Sequence, residues 1–278
     1  DPYVNSNMQN WKVKPKIYRG DGFQDSIILS FGKPKTAIYA HMDSIGFTVK
    51  YNNEIIKIGG PVVKNGIELI GSDSKGKVEG KIIKKNEKIF IDFKREIDRG
   101  TSLTFKMNFK EGKDYIQSSY LDNRLGVWNA LKVAENLENG IIVFSCWEEH
   151  GGGSVGFLTN FIHTKYNISQ ALISDITWVT EGVKAGKGVV ISLRDSGIPR
   201  RSFVNKIITV AKSHNINYQL EVESSGGSDG NEIQRSPYAI DWCFIGAAEQ
   251  NVHSPKEKVH KDDIKSMIEI YEMLMKEL

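Results

Sequence analysis

The pattern of apolar and polar positions divides the chain into three textures. From Ile27 to His41, IILSFGKPKTAIYAH predicts a strand, a Lys-Pro-Lys turn and a second strand. From about Gly46 to Gln117 the apolar runs are short. They alternate with polar residues, as in GKIIKKNEKIFIDFK, and break at NN, GG, NG and KGKVEGK. No helical period runs through this stretch, so it predicts short antiparallel strands with tight turns, a small barrel. After Leu121 the period lengthens. RLGVWNALKVAENLEN sets Leu125, Trp128, Leu131, Ala134 and Leu137 on one helical face, with Gly140 as the stop. Strands then follow at Ile141–Trp147, Ala171–Ile176, Tyr218–Val222 and Ile240–Ala247, with helices at Ser202–His214 and from Lys261.

Helices alternating with strands predict an α/β fold of three layers around a mostly parallel central sheet. The barrel-like stretch interrupts it. Residues 1–45 and 117–278 are expected to form the α/β domain, and residues 46–116 a small inserted β domain. Composition adds little. The 278 residues suffice for a large core, and 40% hydrophobic with 26% charged residues is ordinary for a globular chain. The 37 basic and 34 acidic residues balance too evenly to imply nucleic acid or a membrane surface as partner. No apolar run approaches the ~20 residues of a spanning helix. Cys146 and Cys243 both sit in apolar strand-like runs and read as small buried hydrophobes. A cytoplasmic location is expected, although the start at Asp1 rather than Met leaves room for a removed upstream signal.

The chemistry collects where strands end. TAIYAHMD delivers His41 and Asp43, IIVFSCWEE delivers Glu148 and Glu149, and QALISDIT delivers Asp175. DWCFIGAAEQNVHSP leads to His253, and SSYLDNR places Asp122 just before a helix. In open α/β sheets, sites lie beyond the carboxyl ends of strands. Histidines mixed with carboxylates suit zinc or another first-row divalent ion. A two-metal site needs a bridging carboxylate and about two further ligands for each ion. His41, Asp122, Glu149, Asp175 and His253 meet that count and leave one carboxylate to act on water. Taken singly, each has an ordinary role: a satisfied strand-end histidine, an Asp122 helix cap, a solvated Glu pair, a glycine turn at Gly151–Gly153. Five such coincidences at five strand ends together point to a site.

The ordered motifs HMDSIG, LDNR, EEHGGG, SDIT, GGSDG and VHSPKE resemble the tetrahedral aminopeptidases, dinuclear metallopeptidases that include the glutamyl aminopeptidases. The resemblance runs from about Ala40 to the C-terminus. It implies an α/β peptidase domain with a small β-barrel insertion, and two divalent ions, zinc or cobalt, as cofactors. It further implies that His41 and Asp175 hold one ion, Glu149 and His253 the other, and Asp122 both. Glu148 is then the general base and Asp43 the carboxylate behind His41. The implied substrate is a peptide with a free N-terminus. Deacylation of small N-acyl amino acids, or a non-catalytic metal-binding or assembly role, are the alternatives on the same scaffold.

The chain departs from the family pattern at Asn123, where a second Asp is usual, and at Ser44, where Glu is usual. The insertion also looks short for the family, which predicts a homo-oligomer smaller than a dodecamer. Two segments, Gly152–Gly156 and Gly226–Gly230, match the G-x-S-x-G nucleophile elbow. Neither has the direct strand-turn-helix context that an elbow requires. Ser228 and Asp229 in the second are expected to shape the pocket. SPKEKVHKDD reads as the solvated start of the last helix.

Overall fold

The computed structural model describes residues 8–278. In chain order its strands are β1 (Lys16–Tyr18), β2 (Ile27–Phe31), β3 (Thr36–His41), β4 (Gly46–Val49), β5 (Ile55–Ile58), β6 (Glu68–Asp73), β7 (Gly76–Lys85), β8 (Lys88–Asp92), β9 (Ser102–Phe105), β10 (Lys110–Glu111) and β11 (Tyr115–Ser118). After helix α1 (Leu121–Ala134) come β12 (Gly140–Ser145), α2 (Ser154–Tyr166), β13 (Gln170–Trp178), β14 (Val189–Arg194), α3 (Arg201–Ser213) and β15 (Tyr218–Val222). The chain closes with α4 (Asp229–Arg235), β16 (Asp241–Gln250), β17 (Glu257–His260) and α5 (Lys261–Glu277).

An eleven-stranded sheet carries the order β1-β2-β12-β3-β13-β16-β17-β11-β10, with β14 on β16 and β15 on β14. Strands β12, β3, β13 and β16 are parallel neighbours. The flanks β1–β2, β2–β12, β14–β16, β16–β17, β17–β11 and β11–β10 are antiparallel. The sheet is therefore mixed rather than mostly parallel. The cause is local. The chain turns back at Lys33–Lys35, so β2 runs against β12 and β3. Short returns likewise join β10 to β11 and β16 to β17, and short connections produce antiparallel pairs.

Every residue of β3 and β12 is buried. Their side chains alternate between two cores, as period-two geometry requires. Ile38, Ala40, Ile142 and Phe144 face the cluster built with α1, α3 and α5. Ala37, Tyr39, Ile141 and Val143 face the one built with α2 and α4. Three layers result. The second sheet, β5-β4-β9-β6-β7-β8, is antiparallel throughout, and a bridge between Glu54 and Phe90 nearly closes it. Phe47, Leu69, Val78, Leu103 and Phe105 fill its own core.

Helix α1 starts at Leu121 and its regular turns end at Ala134, so Gly140 opens β12 instead of stopping the helix. Helix α2 is not expected from the sequence pattern, although Val155, Leu158, Thr159 and Ile162 bury one face at helical spacing. The adjacent glycine run masks that period. No helix among the described residues is long and apolar enough to cross a membrane.

Helix α1 seats against β13 through Gly126. A Cβ there would overlap the Ser174 carbonyl and the Asn123 side chain. In an exposed helix Gly→Ala gains about 1 kcal/mol. Here overpacking, typically about 1–3 kcal/mol, outweighs it. Gly126→Ala should therefore lower the midpoint of urea unfolding; an unchanged or raised midpoint contradicts this packing.

Candidate active site

The expected site residues stand at or just beyond the ends of regular elements, except Asp175, which lies within β13. His41 ends β3 and pairs in register with Ser145, the last residue of β12. The chain then passes through Trp147 in the left-handed region (φ 72°) into the single turn Glu148–His150. Gly152 follows at φ 74°, and the Glu232 carboxylate fills the space where its side chain would lie while accepting the Gly153 N–H. Only glycine fits both demands. Asp175 lies in β13 opposite Gly246 of β16. Asp122 follows Tyr120 (φ 65°) and keeps non-helical φ/ψ of −79° and 108°, so its carboxylate is free to face the strand ends rather than cap α1. His253 sits beyond β16 at φ 61°.

These side chains converge on a cavity of about 290 Å³. Asp122 is at its centre. Its Oδ1 lies 3.2 Å from His41 Nε2 and its Oδ2 lies 3.1 Å from His253 Nε2. Asp175 Oδ2 is 3.5 Å from the same His41 nitrogen, and Glu149 Oε2 is 3.4 Å from the same His253 nitrogen. Glu148 Oε2 stands farther off, 3.9 Å from His41 Nε2. Donor atoms of His41, Asp122 and Glu149 all fall within 4.8 Å of one another.

The electrostatics are crowded and one-sided. Burial, reinforced by Asp175, Asp229 and Asp122 against the opposing pull of His41, pushes the Glu148 carboxyl up to about 9. Burial and Asp122 push Glu149 up to about 8. For His253 burial disfavours charge, but Asp122 and Glu149 outweigh it and raise the imidazole to about 9. Glu149 Oε1 is buried with no hydrogen-bond partner among the described residues. Among the described residues no Lys or Arg lines the cavity. Buried carboxylates need a countercharge or a proton. A set of two imidazoles and three carboxylates, one oxygen of it orphaned, fits divalent cations by donor chemistry.

Asp43 departs from the expected role. Its backbone oxygen lies 3.1 Å from His41 Nδ1, while its carboxylate is at 3.6 Å. That carboxylate instead accepts the N–H groups of Glu148 (3.2 Å) and Glu149 (3.1 Å), tying His41 to the turn beside it. Ser228 and Asp229 do not line the cavity, although the preceding Gly227 does. Ser228 caps α4, and Asp229 accepts the Ser145 hydroxyl, behind the strand ends. Asn123 explains its own departure: Nδ2 donates to the Ser174 carbonyl and Oδ1 accepts the Gly126 N–H, both at 2.9 Å. One group must donate and the other accept, which an amide does. Neither elbow-like serine is a free nucleophile, since Ser154 Oγ is buried and exchanges hydrogen bonds with the Cys146 backbone.

Sequence reasoning missed three contributors. Gly59 and Gly60, after β5, approach Glu149 and His253 so closely that a Cβ on Gly59 would lie 3.1 Å from Glu149 Oε2. The GG pair signalled only a turn. Glu257, in the charged run, is buried in β17 and accepts the Leu121 N–H at 2.6 Å, fixing the approach to Asp122.

The family model of M42 glutamyl aminopeptidases matches residues 72–270. The chain belongs to this family. Among curated relatives, a protein of Acetivibrio thermocellus described as "Putative aminopeptidase" is 32% identical over 167 residues, 56% of this M42 chain and 50% of the relative. The chain thus matches about half the length of that relative. Aminopeptidase APDkam598 of the archaeon Desulfurococcus kamchatkensis superposes with a TM-score of 0.87 at 22% identity, covering 100% of this chain and 90% of its own. PhTET1-12s, a dodecamer, gives 0.85 at 22% identity, with 100% and 93% covered. These likenesses show the fold. They also overturn the expected sub-dodecameric assembly, since the TET1 peptidase of Pyrococcus horikoshii can assemble into a tetrahedron or a large octahedral shell.

In the M42 chain stripped of divalent ions, the pH dependence of stability has a fixed sign. Glu148 and Glu149 are raised from 4.5 to about 9 and about 8, so their protonated forms stabilise the fold below about 4.5 and that contribution fades as pH climbs to those values. His253, raised from 6.5 to about 9, contributes fully below about 6.5 and loses its contribution as pH rises through about 9. Both act in one direction. Thermal unfolding in chelator should show Tm falling from about pH 5 to about pH 9; a flat or rising Tm contradicts the crowding described.

Proposed function

We propose that this M42 chain is a metal-dependent aminopeptidase that removes N-terminal residues from peptides, using a water activated by two divalent ions, zinc or cobalt. The observation that carries the reading is Asp122, whose two oxygens face two different histidines. His41 and Asp175 would hold one ion, Glu149 and His253 the other, and Asp122 would bridge. Bound there, the ions would supply Lewis acidity, lowering the pKa of a water and polarising the scissile carbonyl.

The remaining work falls to the chain's own side chains. Glu148 lies beside the ligand set and not within it, with its oxygen nearest His41 at 3.9 Å. It takes a proton from the water and returns it to the leaving amine. Asp43 is a positioning residue: through its carbonyl it orients His41, and through its carboxylate it holds the Glu148–Glu149 turn.

A ligand and a base fail differently. Glu148→Gln should retain wild-type metal content while kcat falls by on the order of 10²–10⁴. Glu149→Gln should lower metal content, with activity partly restored by added metal. Aminoacyl-p-nitroanilide assays with elemental analysis of the same samples decide it. Near-wild-type turnover by Glu148→Gln, or metal loss in that variant equal to that of Glu149→Gln, refutes the assignment.

A further inference from the structure

The geometry points to a subsite for a positively charged N-terminal side chain, lysine or arginine, in the part of the cavity beyond the histidine–carboxylate cluster. This inference rests on the aminopeptidase reading. From Asp175 the wall continues along the ends of β13, β14 and β15 to Thr177, Trp178, Asp195, Glu221 and Glu223. Asp195, at 7% exposure, uses Oδ1 to accept the Gly197 N–H. Glu221, at 3%, accepts the Thr177 hydroxyl. Glu223 is half-buried beside them. Phe244 and Ile176 give the same space an apolar wall, and the Trp178 indole stands exposed at its edge.

The chemistry of these walls selects among three kinds of side chain. An acidic one would meet three more carboxylates and no Lys or Arg, since none lines the cavity. An apolar one would suit Phe244 but would strip water from Asp195 and Glu221 and offer nothing in return. A lysine or arginine has an apolar stem and a charged tip, which matches an apolar wall ending in carboxylates, with an exposed indole at its edge. The substrate's α-amine does not account for the cluster. It lies one carbon from the reacting carbonyl, and therefore among the histidines and carboxylates around Asp122.

The test compares lysyl- and norleucyl-p-nitroanilide, which share a stem and differ in the charged tip, with arginyl, leucyl and glutamyl substrates alongside. The metal-loaded, full-length chain should give a kcat/KM for lysyl at least about tenfold above norleucyl, with glutamyl lowest. Glu223→Gln should narrow the lysyl-to-norleucyl ratio, mainly through KM, and Asp195→Asn should narrow it further. Glu223 is half-buried, so its variant avoids a buried change and keeps the test open if the Asp195 variant does not fold. Equal or better cleavage of norleucyl or glutamyl substrate overturns the subsite while leaving the aminopeptidase reading intact. Cleavage of nothing in the set overturns that reading and the subsite with it.

Discussion

Asp122 lies between His41 and His253, one oxygen toward each, and the structure is arranged around making that possible. Asp175 and Glu149 close on the same two imidazole nitrogens from opposite sides. A buried carboxylate that loses its countercharge typically costs about 3–5 kcal/mol. Here several such groups are packed together, and none of the chain's 37 Lys and Arg residues lines the cavity with them. Hydrogen bonds meet part of the demand, and Glu149 Oε1 receives none among the described residues. The charge imbalance is a local property of the strand ends. The near-neutral total of the sequence conceals it.

Backbone strain collects at the same place. Tyr120, Trp147 and His253 all carry positive φ, which costs a non-glycine residue about 1–2 kcal/mol. Tyr120 and His253 are held by contacts from elsewhere in the fold, and Trp147 by hydrogen bonds within its own turn. Tyr120 stacks on Phe105 of the barrel, ring centroids 5.9 Å apart, and its hydroxyl accepts the Phe105 N–H. The Trp147 carbonyl accepts N–H groups from His150 and Gly152. The His253 carbonyl accepts the Val62 N–H at 2.8 Å. Two of these three supports come from the inserted barrel, which also contributes Gly59 and Gly60 to the cavity wall. The second sheet is therefore part of the mechanical frame of the site.

Much of this was legible in the sequence, for identifiable reasons. Strands such as TAIYAH and IIVFSC are buried on both faces, so they appear as unbroken apolar runs, and polar residues at their ends stand out. The last helix and the Tyr218–Val222 strand begin where periodicity places them. What failed depended on non-local contacts. Strand direction is set by where a turn sends the chain, and the flanking strands run antiparallel. Helix α2 was hidden behind Gly151–Gly153, whose positive φ values belong to the turn before it. Glu257 looked like one charge in a solvated run, and only pairing of β17 with β11 and β16 buries it. The attachment of the Asp43 carboxylate to the Glu148 and Glu149 N–H groups could not be read from residue types.

The central claim is that the fold brings His41, Asp122, Glu149, Asp175 and His253 together to hold two divalent cations on either side of one carboxylate. The most direct measurement is anomalous diffraction from crystals of the active, metal-loaded protein, recorded on both sides of the metal's absorption edge. Two peaks should appear, one on the His41–Asp175 side of Asp122 and one on the Glu149–His253 side. A single peak, or peaks elsewhere in a fully active preparation, would contradict the account.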